Sequence, residues 1–435
     1  MLKIAKFGGS SVADSLQFKR IKKIVDADEG RKVIVVSAPG KRSPEDNKIT
    51  DLLYLTYSHV KYGVDPSAVY DMIKDRFCEI NGTLGLSLDC EGELNAIKTA
   101  LSKDTPEDFL VSRGEYFTAR LMAEYLGYTF VDAADVIVFD YNGKVNYVAS
   151  GERLQEKFER YERIVVPGFY GAYPNGTVKL FSRGGSDVTG SIIAKLLHAD
   201  VYENWTDVSG VMIADPKLVP DTRRVTEITY DELRELSYMG AGVLHEETIF
   251  PVKDADIPIK ILNTYAPEDG GTLICAHCKD NTQLITGITG KKGYASITVV
   301  KRNYVQKIKV LQEILSILRK YRINVEHIPT GIDSISIIIE KESARHDIAE
   351  VLEEIRGLDS VVSVNYDDDI ALLGIVGRNM VGYRGVAGAI FNALAENSVN
   401  VKVMAQGSSE LSIVIGVVNA DFERSIRAVY RKLIK

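Results

Sequence analysis

Short β-rich runs alternate with helical patterns through the first half of the chain, and this alternation constrains the fold more than any other feature. The first run, Leu2 to Lys6, leads through glycines into a pattern in which Phe18, Ile21 and Val25 recur at helical spacing. The second run, Lys32 to Ser37, is continuous and β-branched, which is typical of a central strand buried on both faces. The alternation predicts an α/β fold in which helices cover a parallel sheet.

A long helical stretch interrupts the predicted sheet. Patterns from Asp51 to about Leu126 are helical, and residues from about 65 to 126 are interpreted as an insertion in a catalytic domain of residues 1–285. Glycine-rich and proline-rich segments at Ala266–Gly271 and Gly287–Gly293 predict the boundary to a second region. Strands are predicted to return at Thr129–Val131, Ile164–Val166, Val201–Glu203 and Ile259–Leu262.

The last third of the chain repeats itself at an offset of 76 positions, as from Asn303 to Asn379. Each copy predicts the order strand, helix, strand, strand, helix, a small α+β unit that needs a partner for stability. The tail, residues 286–435, is interpreted as two repeats, about 300–366 and 370–435 plus 286–300, which pack on each other or on a second chain. The matched positions are Arg302, Ile314, Leu318, Asn324, Val325, Gly331, Ser336 and Ile337, repeated as Arg378, Ile390, Leu394, Asn400, Val401, Gly407, Ser412 and Ile413.

The charge balance excludes several classes of partner. There are 53 Lys and Arg residues against 60 Asp and Glu, and the net charge of −7 leaves no basic field for nucleic acid or anionic lipid. No run of about 18 apolar residues is present, and the charged N-terminus lacks the apolar stretch of a signal peptide. We therefore expect a cytoplasmic protein without a membrane span, in which local charges bind any anionic ligand.

Four cysteines, Cys78, Cys90, Cys275 and Cys278, are too few for a disulfide framework in 435 residues. Cys275 and Cys278 form a C-x-x-C motif around His277. A zinc or redox site would need a second pair of ligands at compatible spacing, and the sequence offers none. The motif is interpreted as two thiols near a strand end, and no protein-bound metal is expected.

Two glycine-rich turns have the features of an anion site. In Lys6-Phe7-Gly8-Gly9-Ser10-Ser11 a strand ends before a helix, so backbone N–H groups can approach an anion and Lys6 adds a positive charge. Arg183-Gly184-Gly185-Ser186-Asp187 precedes a second helical run, from Val188 to His198. Such turns are also common structural features, but both would lie beyond carboxyl ends of strands, where open α/β sheets bind ligands. The sequence has neither P-loop nor protein-kinase signatures, so another nucleotide-binding fold is required.

Four motifs together resemble the aspartate kinases of the amino-acid-kinase superfamily: KFGGSSV at Lys6–Val12, VSRGE at Val111–Glu115, FSRGGSD at Phe181–Asp187 and WTDVSGV at Trp205–Val211. The repeated tail resembles the tandem ACT domains of such kinases, so the similarity covers nearly the whole chain. The resemblance implies an amino-acid-kinase fold with an eight-stranded, mainly parallel sheet, followed by two ferredoxin-like ACT domains. It also implies ATP, with Mg²⁺ bound through the nucleotide phosphates, and conversion of L-aspartate to 4-phospho-L-aspartate, the first step toward lysine, threonine and methionine.

Residue roles follow from the same resemblance. It implies that Lys6 neutralises the transferring phosphoryl group, that Asp187 orients Lys6, and that Arg183 binds the α-carboxylate of aspartate. Glu115 matches the family residue that holds the ammonium group. The implied substrate contacts are Ser37, Thr50, Glu115, Phe169, Arg183 and Ser186. The implied ATP contacts are Lys6, Phe7, Gly8, Gly9, Ser10, Gly184, Gly185, Thr206, Asp207, Met212, Asp215 and Lys217.

The chain departs from the family pattern on the nucleotide side. Related kinases carry a GAKVLHP-like stretch, in which this chain has Gly242 in place of the lysine and Glu246 in place of the proline. Met212 stands where a tyrosine is common and Lys217 where an arginine is common. A second cation is therefore missing from its usual position.

Several of these residues have a structural alternative. Glu115 and Arg113 could be a solvated charged face of a helix, and the Thr206-Asp207 pair could cap a turn. His198 and His245 are interpreted as structural, because phosphoryl transfer to an ionised carboxylate requires no base.

In the tail the resemblance implies feedback control by a bound amino acid. Lysine is the first choice of effector and threonine the second, and a homodimer or tetramer through the ACT domains is expected. Two other functions stay open: a related kinase such as a glutamate kinase, and a catalytically impaired amino-acid sensor, suggested by Gly242. The implied effector contacts are Val310, Leu311, Asn324, Val325, Glu326 and Thr330, with plain core and surface positions as the alternative.

Overall fold

The computed structural model describes residues 1–182, 184–242, 244, 246–279, 283–302 and 305–434. The chain divides into two compact units. The first comprises Met1–Val211, Arg224–Tyr230 and Val243–Cys278, and the second comprises Met212–Arg223, Asp231–Gly242 and Lys279–Lys435.

The first unit is built on a mainly parallel sheet. Its sheet and hairpin strands are β1 (Lys3–Phe7), β2 (Arg31–Val36), β3 (Thr129–Phe130), β4 (Ile164–Pro167), β5 (Tyr170–Ala172), β6 (Val178–Leu180), β7 (Val201–Thr206), β8 (Glu227–Thr229), β9 (Ile259–Asn263) and β10 (Thr272–Cys275). In the described part of this unit, eight strands form one sheet in the order β3-β4-β2-β1-β7-β9-β10-β8. Only the β9–β10 pair is antiparallel among these pairs, which confirms the predicted fold class.

The helices between residues 15 and 254 lie mostly between successive strands. They are α1 (Ser15–Asp26), α2 (Ile49–Tyr62), α3 (Ser67–Leu84), α4 (Cys90–Ala100), α5 (Glu107–Leu126), α6 (Ala133–Val136), α7 (Tyr147–Tyr161), α8 (Gly185–Leu196), α9 (Tyr230–Tyr238) and α10 (Glu246–Asp254). Helix α1 begins at Ser15, because Asp14 caps it by accepting a hydrogen bond from the Gln17 N–H at 3.0 Å.

Helix α5 approaches the end of β2 closely. A Cβ atom on Gly114 would lie 2.8 Å from the Cβ of Ala38, so only glycine permits this contact. The next residue in α5, Glu115, is thereby brought to the edge of the sheet where β1 and β2 end.

In the second unit the two repeats share one antiparallel sheet. Its strands are β11 (Gly287–Lys301), β12 (Val325–His327), β13 (Ser334–Glu340), β14 (Val361–Val376), β15 (Val403–Gln406) and β16 (Ser412–Val417), and its main helices are α11 (Lys307–Lys320), α12 (Lys341–Ala344), α13 (Ile348–Arg356), α14 (Val386–Glu396) and α15 (Phe422–Ile434). Over the described residues the strand order is β12-β13-β11-β14-β16-β15. The long strands β11 and β14 lie side by side and each serves both repeats, so the repeats pack on each other.

Gly287–Gly293, one of the two glycine-rich segments used to predict the domain boundary, is the first half of β11. Its glycines serve close packing: a Cβ on Gly287 would lie 2.3 Å from Leu236 Cδ2, and one on Gly290 would lie 2.3 Å from the Leu372 carbonyl oxygen.

None of the described helices has both the length and the apolar character needed to cross a membrane.

Candidate active site

A cavity of about 510 Å³ lies in the first unit, beyond the carboxyl ends of β1 and β2. This is the edge of a parallel sheet where ligands bind in open α/β folds. Its walls come from both glycine-rich turns, from the loop after β2 and from α5. It is lined by Lys6, Gly9, Ser10, Ser37, Ala38, Pro39, Gly40, Lys41, Lys48, Thr50, Glu115, Phe169, Gly184, Gly185, Ser186, Asp187 and Asp207.

Lys6 and Asp187 form an ion pair in this cavity. The Lys6 Nζ contacts Asp187 Oδ1, and Lys6 is 6% exposed. Asn204, the neighbour of Lys6 across the β1–β7 pair, donates its Nδ2–H to the same carboxylate oxygen at 3.1 Å. Because Asp187 receives both bonds from adjacent strands, it holds the Lys6 ammonium at the strand ends.

The first turn brings two backbone segments into contact. The Gly40 N–H donates to the Gly9 carbonyl at 2.8 Å, and a Cβ on Gly40 would lie 2.8 Å from the Gly9 carbonyl carbon. The Gly8 N–H donates to the Trp205 carbonyl at 3.0 Å. The turn is therefore fixed at its start by β7 and along its length by the loop after β2.

The second turn is packed just as closely. A Cβ on Gly185 would lie 2.3 Å from Phe169 Cδ2, and one on Gly168 would lie 2.6 Å from Ser186 Cβ. Phe169 itself has a φ of 76°, a left-handed conformation that is rare for an aromatic residue and is typical of constrained sites. Its N–H donates to Thr189 Oγ1 at 3.0 Å, which ties the strained residue to α8.

Glu115 is buried at the cavity wall. It is 3% exposed, and one carboxyl oxygen accepts the Ala38 N–H at 3.0 Å. The other oxygen, Oε2, has no hydrogen-bond partner among the residues that the structure describes. Burial raises the pKa of Glu115 to about 8, because desolvation disfavours the charged form. A cation bound at Oε2 would reverse that penalty.

The solvated-face alternative for Glu115 and Arg113 is wrong, because both side chains are buried. Arg113 has a structural role: its guanidinium lies 4.3 Å from the ring centroid of Tyr116 and 4.6 Å from that of Phe109, and it donates to Ser112 Oγ at 3.0 Å.

Several predicted contacts stand in the cavity wall and others do not. Ser37, Thr50, Ser10 and Asp207 line it. Phe7 does not, since its side chain is fully buried and stacks on Trp205. Gly8 and Thr206 each precede a residue of the wall in sequence. The Thr206 hydroxyl donates to Asp207 Oδ1 at 3.2 Å, and this bond is compatible both with capping of the following turn and with a contact to a ligand.

Other predicted residues cannot be placed in this cavity. Arg183 lies outside the described residues, as do His245 and the Asn303 repeat position. Met212, Asp215 and Lys217, as well as Gly242, belong to the second unit, and their nucleotide roles stay predictions.

The predicted effector positions all lie in the second unit. Val310 is fully buried in the core of the first repeat, and Leu311 packs against that core, so the side chains of both have structural roles. Asn324 and Thr330 are exposed, while Val325 and Glu326 are half-buried in β12.

Sequence reasoning missed two cavity lysines, Lys41 and Lys48. The loop that holds them follows the second predicted strand, as the first glycine turn follows the first strand. Its basic residues were therefore a usable signal, since adjacent parallel strands end at one sheet edge.

The described residues contain no group of three or more His, Cys, Asp or Glu side chains that could hold a metal ion.

Two family descriptions match the sequence. Residues 1–263 match the amino acid kinase family, and residues 373–433 match the ACT domain.

Several known proteins are similar over their full length. Aspartokinase 3 of Bacillus subtilis is 34% identical over 450 aligned positions, which cover 99% of this chain and 98% of that protein. The crystal structure of Clostridium acetobutylicum aspartate kinase has a TM-score of 0.92 at 44% identity and covers 99% of both chains. Aspartokinase III of E. coli covers 100% of both chains: its complex with aspartate and ADP has a TM-score of 0.77 at 26% identity, and its complex with lysine and aspartate has 0.78 at 25%.

Proposed function

The chain belongs to the amino acid kinase family and, within it, to the aspartokinases, and we propose that it transfers the γ-phosphoryl group of ATP to the side-chain carboxylate of L-aspartate. The product is 4-phospho-L-aspartate, the first intermediate toward lysine, threonine and methionine. The observation that carries this proposal is the cavity in which the Lys6–Asp187 ion pair and the buried Glu115 carboxyl meet two glycine-rich turns.

The electrostatics of the reaction explain why a lysine stands at its centre. Two unit negative charges about 4 Å apart repel by roughly 4 kcal/mol at an effective dielectric constant of 20. A carboxylate therefore cannot approach a triphosphate unless positive charge is supplied. Lys6, fixed by Asp187, supplies it without any rearrangement at the moment of reaction.

The transfer itself needs no general base. One side-chain oxygen of aspartate attacks the γ-phosphorus, the bond from the γ-phosphorus to the bridging oxygen breaks, and ADP leaves with the electron pair of that bond. The attacking carboxylate is already ionised at neutral pH. The protein's contribution is positioning and charge stabilisation, and no covalent enzyme intermediate is needed.

Glu115 binds the substrate ammonium in this proposal. Its unpaired Oε2 lies at the wall of the cavity, and an ammonium there would stabilise the ionised carboxylate that burial otherwise disfavours. Ser37, Thr50, Ser186 and Phe169 complete the wall around aspartate. Arg183 is proposed for the α-carboxylate on the strength of the FSRGGSD motif alone.

ATP is proposed to place its phosphates against the two glycine-rich turns. The complex of E. coli aspartokinase III with ADP supports nucleotide binding by this family. The donor set fits Mg²⁺ that enters with the nucleotide, since the carboxylates of Asp187 and Asp207 line the cavity and the part of the chain that the structure describes has no cluster of three or more His, Cys, Asp or Glu side chains to hold the ion by itself. When bound, Mg²⁺ would neutralise phosphate charge.

Feedback control by lysine is proposed for the second unit. Support comes from the complex of E. coli aspartokinase III with lysine and aspartate, and from the ACT match over residues 373–433. The exposed and half-buried positions Asn324, Val325, Glu326 and Thr330 are the proposed contacts. A homodimer or tetramer through the ACT repeats is proposed as the assembly.

One assay tests the activity. ATP is supplied with either aspartate or glutamate, and hydroxylamine traps the acyl phosphate as a hydroxamate, which is measured as its iron(III) complex. The proposal predicts hydroxamate from aspartate, formed in step with ADP. Hydroxamate from glutamate alone would indicate the related kinase, and none from either acid would indicate an amino-acid sensor.

A further inference from the structure

Lys6 alone does not supply enough positive charge for the two anionic ligands of the proposed reaction. The positive charge of Lys6 is matched by Asp187 in direct contact, so the pair together is close to neutral. A triphosphate and an aspartate carboxylate would meet there with several negative charges. Mg²⁺ bound with the nucleotide would neutralise part of this charge, and a further cation in the wall would favour the approach of the two anions.

Two further lysines stand in the wall, and they differ in their partners. The Lys41 Nζ donates to the Pro44 carbonyl at 3.2 Å, which holds it to its own loop. The Lys48 side chain makes no hydrogen bond or ion pair with any residue in the described ranges. Its charge is available to a ligand.

The backbone at Lys48 is nevertheless fixed. Lys48 is the residue before α2, and its carbonyl accepts the Leu52 N–H at 3.1 Å. The following residue, Ile49, is fully buried and donates its N–H to the Pro39 carbonyl at 3.0 Å. A free ammonium on an anchored backbone, two residues from Thr50 in the same wall, is suited to a role at the reaction centre.

We propose that Lys48 is the second cation of the reaction centre and contacts the phosphoryl group as it passes to aspartate. This inference rests on the proposed aspartokinase activity. It assigns a positive charge at the reaction centre to the loop after β2.

The proposed role of Lys48 is tested by measuring the rate of aspartyl hydroxamate formation by the Lys48→Met variant. The expected result is a fall in kcat of at least tenfold with the KM for ATP changed less than about threefold, because the contact forms mainly in the transition state. Lys48→Arg should retain most of the activity, and ethylammonium should partly restore Lys48→Ala. Lys61→Met, on the exposed face of α2 and outside the cavity lining, is the matched control and should stay within about threefold of wild type.

The outcomes separate the two proposals. A wild-type protein that makes no aspartyl hydroxamate would refute the activity itself. An active wild type with Lys48→Met within threefold of it would overturn the role of Lys48. If Lys48→Met proves unstable in thermal unfolding, a stable Lys48→Arg with equally low activity would overturn it as well.

A second inference concerns the C-x-x-C motif at the end of β10. The two sulfurs, Cys275 Sγ and Cys278 Sγ, lie 3.4 Å apart, and both residues are half-buried, so a small reagent can reach them. The other two cysteines are a natural control: burial raises the pKa of Cys90 to about 12 and also raises that of Cys78. Those thiols are poor nucleophiles because the thiolate is the reactive form.

We infer that Cys275 and Cys278 are a vicinal dithiol that closes to an intrachain disulfide by exchange with a low-molecular-weight disulfide. One thiolate attacks the reagent and forms a mixed disulfide, releasing one thiol of the reagent. The second thiolate then attacks the protein sulfur of that mixed disulfide, and the other reagent thiol leaves. The protein loses two hydrogens and two electrons, which the reagent gains as two thiols.

Mass spectrometry after incubation with glutathione disulfide tests this site. The wild type should lose two hydrogens from the peptide that contains both residues, and Cys275→Ser should instead accumulate a glutathione adduct on Cys278. A persistent adduct on the wild-type motif would overturn the inference. So would oxidation of Cys78 or Cys90 before the motif.

Discussion

A single buried carboxyl determines how the cavity responds to pH. Glu115 has one oxygen on the Ala38 N–H, while Oε2 is without a partner among the described residues, and its pKa is raised to about 8 by burial. At pH 7 most of the free protein therefore carries a neutral carboxyl. Binding an ammonium then requires loss of that proton.

This linkage predicts the pH dependence of catalysis. Below pH 8, kcat/KM for aspartate should rise with pH by up to about tenfold per unit as Glu115 ionises. Glu115→Gln should raise the KM for aspartate at least tenfold and flatten this rise between pH 6 and 8. Initial-rate measurements between pH 6 and 8 test this prediction. If kcat/KM of Glu115→Gln rises with pH as steeply as that of the wild type, the titrating group is not Glu115.

The same residue has a stability consequence of known sign. In the folded protein Glu115 keeps its proton up to about pH 8, whereas in the unfolded chain it loses the proton near pH 4.5. The free energy of unfolding therefore decreases as the pH rises from 4.5 to 8. Glu115→Gln should therefore be more stable than wild type at pH 8, by up to about 4 kcal/mol, with the difference vanishing near pH 4.5. Denaturant unfolding at both pH values measures it, and equal stabilities at pH 8 would contradict the assigned pKa.

At the scale of elements, the helical layer holds the cavity loop in place. Arg76 in α3 is 4% exposed and donates to both oxygens of Asp46, at 2.6 and 2.8 Å, and to the Gly40 carbonyl at 3.1 Å. These bonds join α3 to the loop that carries Lys41 and Lys48. The insertion thus fixes the geometry of the loop after β2, which forms one wall of the cavity.

Removing this anchor should damage both stability and binding. Arg76→Met leaves Asp46 without its buried partner, a loss of about 3 to 5 kcal/mol for a pair of this kind. The KM for aspartate should also rise, since the loop loses its anchor. Arg42, which is 40% exposed and pairs with the same Asp46, is the control: Arg42→Ala should cost less than about 1 kcal/mol. Equal effects of the two changes would contradict the anchoring role.

Much of the first unit could be predicted from sequence because its strands are locally distinctive. The run Lys32 to Ser37 appears as β2, Arg31–Val36, and the predicted strand at Val201–Glu203 extends to Thr206. The observed strand ends differ from the predicted ones by a few residues, because hydrogen bonds to the neighbouring strands determine where each strand ends. The short strands β8 and β10 were not predicted, because each gains its order from neighbours distant in sequence.

The glycine-rich stretch at the start of β11 shows where local signals fail. Glycines usually indicate a break, but here they permit close backbone packing with Leu236 and Leu372. The internal sequence similarity predicts two repeats. It does not predict that β11 and β14 pair with each other and serve both repeats, because this pairing joins segments distant in sequence.

For the site, motifs predicted the glycine turns and Lys6, while the burial of Glu115 had to be seen in three dimensions. The residue lies in a helix whose sequence also fits an exposed charged face. Its burial follows from the close approach of α5 at Gly114, a feature of packing and not of spacing.

At the scale of the whole molecule, the proposed regulation couples lysine binding to catalysis. Glu326 is half-buried in β12 and is the acidic member of the proposed effector contacts. Glu326→Ala should raise the lysine concentration for half-maximal inhibition at least tenfold, because a charged partner for the lysine ammonium is lost. Calorimetric titration with lysine and threonine provides the direct check. Tight lysine binding that survives in the variant would place the effector elsewhere.

The most direct test of the account is the turnover of Lys6→Ala in the aspartyl hydroxamate assay. Its matched control is Lys3→Ala, on the same strand, whose ammonium pairs with Asp28 at 2.6 Å and does not line the cavity. We expect Lys6→Ala to lose at least about a thousandfold in kcat while it stays folded and still binds aspartate by calorimetry, with Lys3→Ala near wild type. A folded Lys6→Ala protein that keeps more than about a tenth of wild-type turnover would contradict the central claim.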